Sequence, residues 1–132
     1  MALLTTLKIK DVEAKYKVVD FRCHFARHYN QFNPDEAPAC ERIEMTVVAP
    51  DTDDFTFYEW FINGSLLSGE LCYELPVSIR NVSSEKRTIA FADARCFAFS
   101  EDYDINSESR RTLKVSVVPQ HVTIDQVNIV HL

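Results

Sequence analysis

Thr88-Ile89-Ala90-Phe91-Ala92-Asp93-Ala94-Arg95-Cys96-Phe97-Ala98-Phe99 is the stretch on which the fold of this chain turns. Side chains of an extended strand alternate between two faces, so Ile89 and Phe91 share one face and Ala90 and Ala92 the other. Beyond Asp93 the order changes: Ala94, Cys96 and Ala98 stand against Phe97 and Phe99, with Arg95 the one polar interruption. A change of parity at Asp93 is what a β-bulge produces. A sheet strand with one wet face alternates apolar with polar. This strand does not, and is therefore expected to be covered on both sides.

Working outward, the same period of two recurs along the chain. Leu3, Thr5, Leu7 and Ile9 alternate with polar neighbours, and Lys15 to Phe25 sets Val19, Phe21, Cys23 and Phe25 on one face. Residues 28–39 form a polar segment with two prolines, longer than a hairpin turn and of the kind that carries function. Cys40 to Ala49 aligns Ile43, Met45, Val47 and Ala49. Further strands are expected over Gly69 to Leu75, Thr88 to Tyr103, Arg111 to Val118 and His121 to Val130. Pro119-Gln120 is short enough to join the last two as an antiparallel hairpin. The fold class is all-β: an antiparallel β-barrel of about seven or eight strands with one short α-helix, a single domain over 1–132.

The helix is expected from about Asp53 to Ile62. Asp51-Thr52-Asp53-Asp54 supplies caps and carboxylates suited to a helix N-terminus, and Asn63-Gly64 supplies the stop. Its apolar side chains cover more than one face. Phe55, Phe57, Tyr58, Trp60, Phe61 and Ile62 leave only Thr56, Glu59 and Asn63 as a polar stripe, with Asp54 near the start. A helix packed on one sheet needs roughly a 100° apolar arc. Five of the chain's fifteen aromatics (Trp 1, Tyr 5, Phe 9) fall between Phe55 and Phe61, so the excess is concentrated there. Either a second subunit or a ligand inside the barrel must cover it. Large apolar surfaces on soluble proteins mark interfaces, so subunit contact is the expectation. Tyr58, Trp60, Phe61 and Phe97 are the expected contributors, because aromatics dominate interface energetics. The alternative is a monomeric ligand-binding β-barrel with Phe21, Phe91 and Phe97 around a small apolar molecule.

Composition narrows the function. The 132 residues carry a net charge of −6, and no basic cluster exceeds the pairs Lys86-Arg87 and Arg110-Arg111, so nucleic acid is not an expected partner. No apolar run is long enough to cross a bilayer, and no membrane insertion is expected. The first residues lack the pattern of a secretory leader. Synthesis and folding are therefore expected in the cytoplasm, with any export by a route that reads the folded protein. Cys23, Cys40, Cys72 and Cys96 contain no Cys-x-x-Cys and read as buried free thiols. His24 and His28, at a strand end, do not have metal-pair geometry. The carboxylates Asp51, Asp53 and Asp54 read as helix caps. Glu101-Asp102-Tyr103-Asp104 lacks the glycine and closing glutamate of a calcium loop. With only Gly64 and Gly69 there is no phosphate-cradling loop, and no Gly-x-Ser-x-Gly occurs. No catalytic residue, cofactor or metal site is expected, and the chain reads as a non-enzyme.

Several short motifs together resemble one family. A helix bearing Phe57-Tyr58-Glu59-Trp60-Phe61 follows the Asp51-Thr52-Asp53 turn. A strand opening Ser68-Gly69-Glu70-Leu71 comes next, then Arg87-Thr88-Ile89-Ala90-Phe91-Ala92-Asp93-Ala94-Arg95-Cys96, and then the acidic-aromatic end Glu101-Asp102-Tyr103-Asp104. Taken in order with the paired terminal strands, they are similar to Hcp (TssD), the tube protein of the type VI secretion system, in a divergent short branch. The resemblance implies a β-barrel subunit forming hexameric rings that stack into a tube, alongside sheath, tip and effector proteins. It also implies that the tube subunit leaves the cell without a signal peptide, reaching the extracellular space or a target cell. By analogy, residues 28–39, with Tyr29, Gln31, Phe32, Asn33 and Asp35, correspond to a loop that contacts a neighbouring subunit or ring. A phage-like tail-tube protein would share this fold and stands as a further alternative.

Overall fold

A computed structural model describes residues 5–26, 39–76, 84–106, 111–125 and 127–130. Eight strands and one helix follow in the order β1 (Thr5–Ile9), β2 (Lys15–Ala26), β3 (Ala39–Val48), α1 (Thr56–Asn63), β4 (Leu66–Pro76), β5 (Ser84–Tyr103), β6 (Arg111–Val118), β7 (His121–Ile124) and β8 (Val127–Val130). All pairings are antiparallel, in the order β4-β1-β2-β3-β6-β5-β7-β8, and a further β4–β5 pairing closes a six-stranded barrel. The all-β barrel expected from the alternation is what forms.

The closure depends on β5, a strand of 20 residues with different neighbours along its length. Its first part, Ser84 to Arg95, pairs with β4. Its last part, Arg95 to Tyr103, pairs with β6. The bulge expected near Asp93 is present. Asp93 has φ 53°, the β4 register slips between Leu67 and Gly69, and Ser68 Oγ accepts the Asp93 N–H at 3.1 Å. Buried side chains switch there from Ile89 and Phe91 to Ala94 and Cys96. A second irregularity lies between Cys96 and Ala98 in the β6 pairing, where Phe97 is the extra residue at 50% exposure and Phe99 returns to the core side.

The same device corrects the expected face of β2. A register shift between Val18 and Asp20 puts Tyr16 and Val18 in the core before it and Phe21 and Cys23 against the core after it. Val19, expected to point inward, is 54% exposed, because one extra residue sends it to the other side. A second shift, between His24 and Phe25, skips Glu41 on β3 and leaves the alternation of β2 intact, so Phe25 stays on the face of Phe21 and Cys23, opposite Cys40, and is 40% exposed near the strand end. Leu3, expected in the first strand, lies outside the described residues.

The chain end is also arranged differently from the expectation. Pro119-Gln120 is not a hairpin turn. β6 pairs with the second half of β5 and β7 with Ile89 to Ala92, so the two run in line along β5. Gln120 N–H donates to the Ala92 carbonyl and bridges the gap. Proline breaks the strand without turning it, since it lacks a donor but tolerates extended φ. The hairpin lies one step later, between β7 and β8, beside Asp125 at φ 52°.

The core is Leu7, Ile9, Tyr16, Val18, Ile43, Met45, Val47, Leu71, Ile89, Phe91, Leu113, Val115, Val117 and Val122, joined by Phe57 and Trp60 from α1. Helix α1 begins later than the spacing suggests, at Thr56, and ends at Gly64 with φ 64°, the left-handed stop that was expected. Asp54 Oδ1 accepts the Thr56 N–H at 3.0 Å, and Asp54 Oδ2 accepts the Tyr16 hydroxyl at 2.7 Å, which ties the helix start to β2. Against the effect of partial burial, hydrogen bonds from Thr56 and Tyr16 hold the Asp54 carboxyl below the usual range.

Candidate subunit interface

Helix α1 has two apolar sides. Phe57 and Trp60 enter the core; Trp60 stacks on Phe91 at 6.3 Å and donates its indole N–H to the Ala94 carbonyl at 3.0 Å. Phe55, Phe61 and Ile62 face outward at 54%, 41% and 75% exposure. Tyr58 and Phe99 join the two sides. The Tyr58 ring lies 5.9 Å from Phe55 and 5.0 Å from Phe99, and Phe61 lies 6.1 Å from Phe99. Phe97 is exposed two residues earlier on the same strand, and Leu66 and Tyr103 are exposed as well.

Of the four aromatics expected at an interface, Phe61 and Phe97 are therefore at the surface and Tyr58 is half-buried beside them. Trp60, at 1% exposure, belongs to the core of its own subunit and has no area left for a neighbour. The wheel could not separate it from Phe61, because both lie on a helix that is apolar nearly all round. The loop residues Tyr29, Gln31, Phe32, Asn33 and Asp35 lie outside the described residues. The small-molecule alternative meets a different geometry: Phe91 is packed on Trp60 and Phe97 faces out, so Phe21, Phe91 and Phe97 do not surround one space.

Charged groups hold the rim of this patch. Tyr58 donates its hydroxyl to Glu101 Oε1 at 2.7 Å, and Arg111 Nε lies 2.9 Å from the same oxygen. The Arg111 contact is a charge pair without a well-aimed hydrogen bond, since its buried Nε–H finds no aligned acceptor. The hydrogen bond to Glu101, with some burial, raises the Tyr58 hydroxyl above its ordinary value.

Two strand edges beside these groups have no partner among the described residues. β4 accompanies β5 only as far as Arg95, so Phe97 to Tyr103 are paired on the β6 side alone. β1 accompanies β2 only over Lys15 to Lys17, so β2 from Asp20 to Ala26 is paired on the β3 side alone. The strands β2, β3, β6 and β5 thus form a four-stranded sheet with a free edge on each side. Sequence reading missed these edges, because alternation assigns faces and says nothing about which strand lies beside which.

The outer face of that sheet is polar and holds a groove of about 500 Å³ bordered by Asp20, Arg22, Glu44, Thr46, Lys114 and Ser116. Glu44 Oε1 accepts from Arg42 at 3.0 Å and Glu44 Oε2 sits 3.4 Å from His24 Nε2. The His24 hydrogen bond, then Arg42, keeps the Glu44 carboxyl low. Lys114 Nζ is 3.8 Å from Asp102 Oδ2. Arg42 and Glu44 pair along β3 and the other two contacts cross between strands, all on a wet surface, and among the described residues no three His, Cys, Asp or Glu side chains are grouped to hold a metal ion. All four cysteines are free. Burial pushes the Cys23 thiol up to about 12 and Cys40 up to about 11, which keeps both protonated and unreactive at neutral pH.

The sequence matches, over residues 1–131, the family described as Hemolysin coregulated protein Hcp (TssD). The chain belongs to the Hcp family. Solved structures of similar fold include Hcp1 from Flavobacterium johnsoniae, at 18% identity and TM-score 0.69, covering 97% of this chain and 99% of that one. Hcp1 from Salmonella typhimurium matches at 13% identity and TM-score 0.68, over 92% of this chain and 85% of the other. The secreted protein Hcp3 from Pseudomonas aeruginosa matches at 13% and TM-score 0.65, over 93% and 90%. A search of curated protein sequences found no match. Hcp membership fits the geometry just described, a barrel with a second apolar surface and open strand edges. Among the described residues no helix is long and apolar enough to cross a membrane.

Proposed function

We propose that this Hcp protein is a structural, non-enzymatic tube subunit of a type VI secretion system. It closes into hexameric rings that stack into a tube and carry or propel effectors, in company with sheath and tip proteins. In this reading the subunit is assembled in the cytoplasm and leaves with the tube.

The observation that carries the reading is the pair of sheet edges left unpaired among the described residues. In the order β2-β3-β6-β5, the outer strands run in opposite directions. Rotation about an axis along the strands preserves their directions. The β5 edge of one copy therefore meets the β2 edge of the next as an antiparallel pair, and repetition continues one sheet around a closed ring. Such a contact is heterologous and closes when the rotation divides the circle. Exposed edges otherwise invite uncontrolled pairing, and closure removes them. The exposed strip of Phe55, Phe61 and Phe97 borders the β5 edge and supplies apolar area to the same seam. Burying a Phe side chain is worth about 1.5–3 kcal/mol. The polar, grooved face then lines the lumen, as suits a channel through which another protein must slide.

Sedimentation and negative-stain imaging of purified protein test this. The expected result is a ring of six protomer masses. Phe61→Asp with Phe97→Asp should abolish rings while leaving the monomer folded, since both side chains are already exposed in the subunit. A wild-type protein that stays a monomer at high micromolar concentration would overturn the proposal.

A further inference from the structure

We infer that Arg22 of one subunit pairs with Asp102 of the next, and that this ion pair sets the register of the seam. The inference rests on the ring reading above and adds to it the chemistry that aligns the copies.

The free parts of the two edges offer few registers. On β5, Ala98, Ser100 and Asp102 face the polar side, opposite Ser116, Lys114 and Thr112 of β6. On β2, Asp20 and Arg22 face that side, opposite Thr46 and Glu44 of β3, and His24 follows opposite Arg42. A continuous sheet must set outward residues beside outward residues, so slips come in steps of two. One register puts Asp102 beside Asp20 and Ser100 beside Arg22. The next puts Asp102 beside Arg22, Ser100 beside His24 and Ala98 beside Ala26. A further step leaves only two outward pairs and wastes most of the edge.

Like charges directly opposite destabilise a strand pair and unlike charges favour it. The first register brings two carboxylates together. The second joins a carboxylate to a guanidinium, and it uses only Arg22 to Ala26, the part of β2 furthest from β1. Both groups are available. Arg22 is exposed and has no ion-pair partner among the described residues, because its cross-strand neighbour Glu44 is held by Arg42 and His24. Asp102 has a 58% exposed side chain and only a long 3.8 Å contact to Lys114, so it can accept a second cation. The occupant of this edge is therefore a second copy of the chain.

A charge-exchange cycle tests the pair, with ring dissociation followed by sedimentation at low and high salt. Arg22→Asp and Asp102→Arg should each weaken the seam by up to about fivefold, the upper end for an exposed pair. Combined, they should recover most of the loss, and the coupling should fade as salt rises. Asp20→Arg should show no coupling to Asp102. Thermal melts of the monomers should be nearly unchanged, which separates assembly from folding. Wild-type rings with purely additive effects of the two reversals, or coupling of Asp102 to position 20, overturn the pair and leave the ring reading standing. Absence of wild-type rings overturns both.

Discussion

Single side chains divide into those that hold the subunit and those that wait at its surface. Trp60 belongs to the first group: its ring stacks in the core and its N–H satisfies the Ala94 carbonyl. Trp60→Phe should cost about 1–3 kcal/mol in chemical denaturation, since a buried acceptor loses its donor. Asp54 is a second anchor, with a testable sign. Its carboxyl is lower in the folded state than in the unfolded chain, so its contribution is complete above the ordinary Asp range. That contribution fades as pH falls through the folded value. Asp54→Asn should therefore be less stable than wild type at pH 6, and the gap in melting temperature should narrow as pH falls below the ordinary Asp range. Constant separation at every pH would show that the hydrogen bonds do not depend on ionisation.

At the scale of elements, the bulges decide which side chains face in. Asp93 takes a left-handed conformation that aspartate tolerates and β-branched residues resist. Asp93→Val should cost about 1–2 kcal/mol, while Asp93→Gly should be neutral or slightly stabilising, both read from urea unfolding. Gly69 has a different constraint. An added Cβ would stand 2.6 Å from the Lys8 carbonyl oxygen and 3.0 Å from the Phe91 ring, so Gly69→Ala should open the β1–β4 pairing and lower the melting temperature. The parity change at Asp93 was legible because the apolar residues Ile89 to Ala92 before it and Ala94 to Phe99 after it change step together. The shift at Val19 was not, since Lys-Val-Val-Asp reads equally well in either register without its partner strand. The helix was legible in its stop at Gly64, while its start was placed three residues early. Aspartates ahead of a helix look the same whether they lie inside it or cap it from outside.

On the scale of the whole molecule, the barrel encloses its own core and leaves a second surface. The apolar excess on α1 and β5 could be read from the side-chain pattern alone, because both exceed what one sheet can cover. The tertiary packing divides that excess between core and surface, and Trp60 shows why. Residues one step apart on a helix that is apolar all round are assigned by the sheet beneath them. If rings form, association should be strongly concentration-dependent, with dilution producing folded monomer and no aggregate. Loss of secondary structure on dilution, followed by circular dichroism, would instead make the subunit dependent on its neighbours for folding.

By itself the sequence determined the all-β class, the helix and its stop, the bulge at Asp93, the free thiols and the Hcp resemblance. Each of these is local: it follows from the alternation, turn chemistry or motif order of neighbouring residues. Only the tertiary structure decided that β6 and β7 run in line, that Val19 points out and Trp60 in, and that β2 and β5 end a four-stranded sheet with edges unpaired among the described residues. Those facts depend on which strands lie side by side, and hydrogen bonds between distant segments choose that order without leaving a mark on any one stretch of residues.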